Sequence, residues 1–195
     1  MLNKNFKKAF WSFLEIFEVI IVAIVAVFII RAFIAQPFLV SGSSMEPSFH
    51  NGNYLIVDEL TYNFRSPQRG EIIVFNSPDG SGTYYIKRVI GLPGESVIID
   101  GDEITVISEG KSVVLTEDYI LEGGRSSVLY QEAELSEKEY FVMGDNRGFS
   151  FDSRSWGALN KDNIIGVVRF RLWPLPEIMT VKTPGYGLMT PQSTN

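Results

Sequence analysis

The chain of 195 residues contains no cysteine, so no disulfide can staple it and no thiolate can serve as nucleophile or metal ligand. Nothing about its redox compartment can be read for the same reason. It has a single histidine, His50, and a zinc site would have to be assembled from that imidazole plus carboxylates with no supporting spacing. Neither a metal nor another cofactor is expected. Histidine is also the usual base for a serine, but His50 opens the turn signal His50-Asn51-Gly52-Asn53 and reads as a surface position. Clustered positive charge is missing from the body of the chain. Residues 1–40 hold Lys4, Lys7, Lys8 and Arg31 against Glu15 and Glu18, a net of +2, so the remainder carries −8 of the total −6. An acidic body excludes nucleic acid as the natural partner. No internal repeat is present, and past residue 40 no long helical period can be found.

Membrane-length apolarity occurs once. Val19 to Ile30 is unbroken for 12 residues, and the stretch 11–35 reaches the ~20 that a spanning helix needs. It admits Glu15, Glu18 and Arg31 only near its ends, where long side chains reach the headgroups. A buried soluble helix or a cleaved signal peptide would fit less well, since Phe33-Ile34-Ala35 lacks the small first residue of an A-x-A site. The expectation is an uncleaved signal-anchor in a lipid bilayer. Residues 1–10 form a basic cytoplasmic tail by the positive-inside rule, and the remaining ~160 residues lie on the outer side. Pro37 is expected to end or redirect the helix.

From residue 36 to 179 the chain reads as mainly β. Tyr54–Val57, Ile72–Phe75, Tyr84–Ile90, Val97–Ile99, Ile104–Ile107 and Ile164–Leu172 are β-branched or aromatic runs punctuated by Gly, Pro, Asn and Asp. Asp100-Gly101 signals a two-residue hairpin turn. An N-terminal transmembrane helix followed by packed antiparallel sheets or a partly closed barrel is the natural architecture. The more polar stretch 108–137 reads as a small inserted β subdomain, and 180–195 as a loose tail.

Two segments carry candidate chemistry. Ser41, Ser43, Ser44 and Ser48 crowd the first segment after the anchor, and periodicity does not choose between them. Lys87 stands in Tyr84-Tyr85-Ile86-Lys87-Arg88-Val89-Ile90, where alternation puts Tyr85, Lys87 and Val89 on one face and Ile86, Arg88 and Ile90 on the other. One of the two cations must therefore share a face with large side chains. A lysine so buried loses charge more readily and can accept a serine's proton. The turn-rich loop from Gly144 to Arg154 offers Asp145 and Asp152 as partners for Arg88 or Arg154.

Taken in order, these segments resemble the bacterial type I signal peptidases. The motifs are Gln36-Pro37-Phe38, Ser43-Ser44-Met45-Glu46-Pro47-Ser48, Arg69-Gly70-Glu71-Ile72-Ile73-Val74-Phe75, Tyr85 through Gly94, and Gly144-Asp145-Asn146-Arg147 through Ser150, Asp152, Ser153 and Arg154. The resemblance implies a membrane-bound serine endopeptidase with Ser44 as nucleophile and Lys87 as general base. It implies that Ser150 orients the lysine, that Asp145 partners Arg88, and that Asp152 and Arg154 form a second ion pair. Phe38, Val40, Met45, Tyr85 and Ile86 would line shallow pockets for small residues such as Ala. Gly42 stands where some members carry a serine hydroxyl for the oxyanion hole, so the Ser44 N–H would need another donor beside it. The substrates implied are exported preproteins with signal peptides, cut after Ala-x-Ala. A specialised processing peptidase of a conjugation or pilus system, or an inactive membrane-anchored β module, are the alternatives.

Overall fold

A computed structural model describes residues 4–33, 35–120 and 128–186. Among the described residues the only long helix is α1 (Lys4–Phe33), 30 residues and so ~45 Å at 1.5 Å per residue. Within it Phe10–Phe28 is long and apolar enough to cross a membrane, and that window is not packed inside the protein. The helix begins at Lys4, inside the stretch expected as a separate tail, because lysine is itself a good helix former. It ends at Phe33, and Pro37 instead lies within β1 (Ala35–Leu39). That strand is an edge of its sheet, where a missing N–H is tolerated.

The other strands are β2 (Tyr54–Asp58), β3 (Ile72–Asn76), β4 (Tyr84–Gly91), β5 (Ser96–Asp100), β6 (Glu103–Ser108), β7 (Lys111–Val114), β8 (Tyr130–Glu134), β9 (Glu139–Met143), β10 (Leu159–Asn160), β11 (Ile164–Trp173) and β12 (Met179–Thr180). A single helical turn, α2 (Ser153–Trp156), precedes β10. All six expected strands form, and every pairing is antiparallel. The larger sheet runs β1-β2-β11-β3-β4-β9-β10, with β12 on the far end of β11. In a flat sheet β1 and β4, four steps apart, would be separated by ~19 Å. The Phe38 ring of β1 nevertheless meets the Tyr84 ring of β4 edge-on, with centroids 5.4 Å apart. The sheet is therefore strongly curled, and the cleft between its first strand and β4 is a product of that curl.

The smaller sheet runs β7-β6-β5-β8, so it takes in strands from Ser96 onward, ahead of the 108 at which the insertion was expected to begin. The β5–β6 hairpin belongs to it because Val97, Ile99, Ile104 and Val106 alternate inward onto one cluster with Leu115 and Leu135. Its turn is Gly101-Asp102 between the pair Asp100↔Glu103, one residue later than the Asp100-Gly101 reading. Gly101 supplies the positive φ of +59°. The segment after β12 is not loose as far as Tyr186. Val181 donates to the Arg169 carbonyl (2.8 Å) and packs on the main core, and Tyr186 packs against the cluster holding Ile90, Phe141 and Met143. The rest of the expected tail lies outside the described residues.

Candidate active site

After β1 the chain loops back on itself to reach β2. The loop is closed by Val40 N–H to the Asn53 carbonyl and Gly52 N–H to the Val40 carbonyl, 2.9 Å each. Gly42 adopts φ +97°, a conformation that side chains disfavour, with its N–H held by Asn51 Oδ1 at 3.0 Å. Met45 and Phe49 are buried in the core with Val40, Leu55 and Val74. Met45 thus pins the loop from below, and Ser44, one residue earlier, is left partly exposed at the surface of the cleft. His50 lies on this loop at the surface, 3.5 Å from Glu46, as its turn context implied.

β4 brings the lysine. Lys87 pairs with Ile73 of β3, while on the other side β9 joins only from Arg88↔Met143. Lys87 is therefore the residue at which the sheet opens. Its Nζ lies 2.8 Å from Ser44 Oγ and 3.0 Å from the Ile86 carbonyl oxygen. Both neighbouring cations are buried, Lys87 at 4% exposure and Arg88 at 3%, where alternation required it of one. Burial pushes the Lys87 amine down to about 8, against the pull of Asp152 and Asp145 and with a small further push from Arg154. Arg88, in contrast, is chelated. Its Nε and Nη2 donate to the two Asp145 oxygens at 2.8 and 2.6 Å, Nη1 to the Gly70 carbonyl at 2.9 Å, and Nη2 to Ser48 Oγ at 3.2 Å. Asp145 is 1% exposed, so this pair satisfies itself without water.

The loop from 144 to 154 closes the far wall. Asn146 N–H donates to the Ser44 carbonyl and its Nδ2 to the Ser43 carbonyl, both at 3.1 Å, which stitches this loop to the serine loop. Asp152 is chelated by Arg154 Nε (2.8 Å) and Nη2 (2.7 Å) and accepts the Gly144 N–H at 3.0 Å. Burial alone would raise the Asp152 carboxyl, but Arg154 and the Gly144 N–H outweigh it and hold it below the usual carboxylate range. Both ion pairs implied by the resemblance therefore form. Ser150 is brought to the same place but makes no hydrogen bond to Lys87. Its buried Oγ packs at Gly144.

Gly144 is a site residue that no role was assigned to from the sequence. A Cβ built there would stand 2.3 Å from Ser150 Oγ and 2.4 Å from the Ser44 carbonyl oxygen, far inside contact distance. The loop can lie against the serine only because no side chain intervenes. We expect Gly144→Ala to lower catalytic turnover by about tenfold to a hundredfold by displacing Ser44, since small misplacements of reacting groups carry costs of that order. Comparing single-turnover cleavage with the parent checks this; parental turnover would show that the contact is not needed.

A cleft of about 370 Å³ runs from Ser44 and Lys87 between β1 and β4. Phe38, Val40, Tyr85 and Ile86 line it as the resemblance implied. Met45 does not; at 1% exposure it is core. Leu55 and Val74 form apolar lining that sequence reading missed, because strand alternation alone does not say which buried residues underlie a cleft. A buried amine with its proton affinity lowered thus lies within hydrogen-bond reach of a serine hydroxyl at the end of an apolar cleft, a geometry in which a lysine can accept a serine's proton.

Comparison with known proteins gives the family. Residues 13–173 match the family described as signal peptidase, peptidase S26. A probable signal peptidase I-1 of Synechocystis is 37% identical over 172 residues, covering 84% of this chain and 85% of that protein. A second Synechocystis protein, probable signal peptidase I-2, is 34% identical over 86% of this chain and 76% of its own length. A signal peptidase I of Bacillus licheniformis is 35% identical over 86% and 92%. This chain belongs to the signal peptidase family, and it is a serine endopeptidase of that family.

Proposed function

We propose that the protein removes the signal peptides of exported preproteins, cutting after a small residue, with Ser44 as nucleophile and Lys87 as general base. The observation that carries this reading is the 2.8 Å contact between Lys87 Nζ and Ser44 Oγ, made by an amine that burial holds near 8. Neutral Lys87 takes the hydroxyl proton as Oγ attacks the scissile carbonyl. The resulting oxyanion is held by the Ser44 N–H and a second donor. The protonated amine then returns its proton to the leaving nitrogen, and a lysine-activated water releases the acyl group.

The substrate chain enters as an extended strand. On one side of the cleft β1 is a sheet edge, and on the other the Tyr84–Lys87 half of β4 is paired only with β3. Both offer free backbone groups to an added strand, and the shallow apolar lining suits small side chains at alternate positions. Helix α1 anchors the enzyme with its basic end in the cytoplasm and the catalytic body outside. Enzyme and preprotein then share one membrane plane, which raises their effective concentration.

The test is cleavage of a preprotein bearing Ala-x-Ala by the full-length protein in detergent, with the new N-terminus mapped and the rate followed against pH. A base of pKa about 8 is only about a tenth neutral at pH 7 and about nine-tenths neutral at pH 9. The rate is therefore expected to rise about tenfold between those values and then level off. A rise that continues past pH 10, as for an ordinary lysine, or a flat profile, would remove the mechanism. Mapping of the product N-terminus away from the Ala-x-Ala site would remove the proposed specificity.

A further inference from the structure

The inserted subdomain and the C-terminal segment meet at Arg88, behind the candidate dyad. Tyr119, in the loop after β7, lays its ring over the Arg88 guanidinium, with Cζ 3.9 Å from the ring centroid. The Tyr119 hydroxyl lies 3.0 Å from that of Tyr186, and the two rings are edge-on at 6.5 Å. Glu117, two residues earlier, accepts from the Tyr119 hydroxyl and pairs with buried Arg147, whose Nε donates to the Gly144 carbonyl at 3.2 Å. Two threads thus run from the insertion to residues 144 and 145, the part of the loop that lies against Ser44. Neither Glu117, Tyr119 nor Tyr186 belongs to a motif that the sequence singled out.

We propose that Tyr119, clamped by Tyr186, is a positioning residue for the Ser44–Lys87 dyad and acts through the Arg88–Asp145 pair. The proposal rests on the reading of the dyad above and adds a positioning role for the insertion and the C-terminal segment.

The physical argument concerns which charges Lys87 senses. Asp145, Asp152 and Arg154 act on it directly, Ser44 contacts it, and the Tyr85 ring faces it with its centroid 5.8 Å from Nζ. Arg88 neutralises Asp145 and is itself faced by Tyr119, Tyr186 and Ser48, with Glu117 and Arg147 one step further away. The Tyr119 ring covers one face of the guanidinium, excludes water from it and holds it on Asp145. Without the ring, Arg88 is hydrated and looser, so Asp145 is less well neutralised and its field on the lysine grows. Water admitted at the same place also lessens the desolvation of the amine. Both effects raise the pH at which Lys87 loses its proton. The tyrosines themselves stay neutral throughout, because burial pushes both phenols up, that of Tyr186 to about 12.

Trace labelling of the full-length protein with isotopic acetic anhydride, read by mass spectrometry on the Lys87 peptide, gives the midpoint of that amine independently of activity. Preprotein cleavage is followed over the same pH range. Tyr119→Leu is expected to raise the midpoint by about half to one unit and to slow cleavage at pH 7 by about threefold to tenfold, converging on the parental rate at high pH. Tyr119→Phe keeps the ring over Arg88 but gives up the hydroxyl bonds to Tyr186 and Glu117, so it should shift the midpoint clearly less than Tyr119→Leu. Tyr186→Ala should shift the midpoint in the same direction as Tyr119→Leu, and it decides the matter if that variant does not fold. An unmoved midpoint in every variant that folds, or a Tyr119→Phe profile matching Tyr119→Leu, overturns the proposal. If the midpoints shift as stated but the parent cleaves no preprotein, the clamp stands and the peptidase reading falls.

Discussion

Lys87→Met is expected to lower preprotein cleavage by on the order of a thousandfold or more, while the folded protein becomes no less stable. The two halves of that outcome have one cause. The amine is buried with its pKa moved from 10.5 to about 8, which corresponds to roughly 3 kcal/mol of cost for keeping it charged in the fold at neutral pH. The sign follows from linkage. Between about 8 and 10.5 the unfolded chain binds the proton and the folded one does not, so this group's contribution to stability improves as pH rises through that window and is least favourable below it. Methionine fills similar space with no charge to desolvate, and what it loses is the hydrogen bonding to Ser44 Oγ and the Ile86 carbonyl. Thermal unfolding at pH 7 should show an equal or higher midpoint beside the collapse in cleavage. Ser44→Ala should match it in activity without the gain in stability. Cleavage retained by either variant would show that another pair does the chemistry.

The second large effect is on folding. Arg88→Met should destabilise the catalytic body by about 3–5 kcal/mol, because it leaves Asp145 buried at 1% exposure with its guanidinium gone. For a body of this size that is a fall of roughly 6–20 °C in Tm. The pair itself is not the source of so much stability. Exchanging both members for apolar residues, Arg88→Met with Asp145→Leu, should recover most of the loss, since no uncompensated charge then remains. The partly exposed pair Arg169–Asp58 provides the contrast: breaking it should cost ~1 kcal/mol or less, as water reaches both partners. Differential scanning calorimetry of the three variants checks the ordering. A double variant as unstable as Arg88→Met alone would mean that the Gly70 and Ser48 contacts of Arg88 matter more than its charge.

Much of this arrangement was legible in the residues. The anchor shows because ~20 mostly apolar residues have one economical location, and the six strands show because β-branched and aromatic runs ended by Gly, Pro or Asp have few other uses. Arg88 with Asp145 and Arg154 with Asp152 followed from the resemblance, and each pair is chelated as it implied. Short strands escaped notice. β7 and β8 are polar and half-exposed, so their alternation is weak, and their membership of the small sheet comes from pairing with β6 and β5. Met45 was assigned to the cleft by its neighbourhood to Ser44, yet its side chain turns into the core with Phe49 and Leu55. Ser150 was assigned to the lysine; its hydroxyl lies against Gly144 and makes no hydrogen bond to Lys87.

By itself the sequence determined the membrane-length helix and the β character of the rest, because composition and period are local properties of a chain; which serine and lysine to suspect came from its motif order through the resemblance. Only the tertiary structure decided that Lys87 loses its solvent and meets Ser44, that Gly144 must lack a side chain, and that Tyr119 and Tyr186 close over Arg88. Those facts depend on the curl of a sheet whose partners lie tens of residues apart, and burial of a charge is a property of everything packed around it.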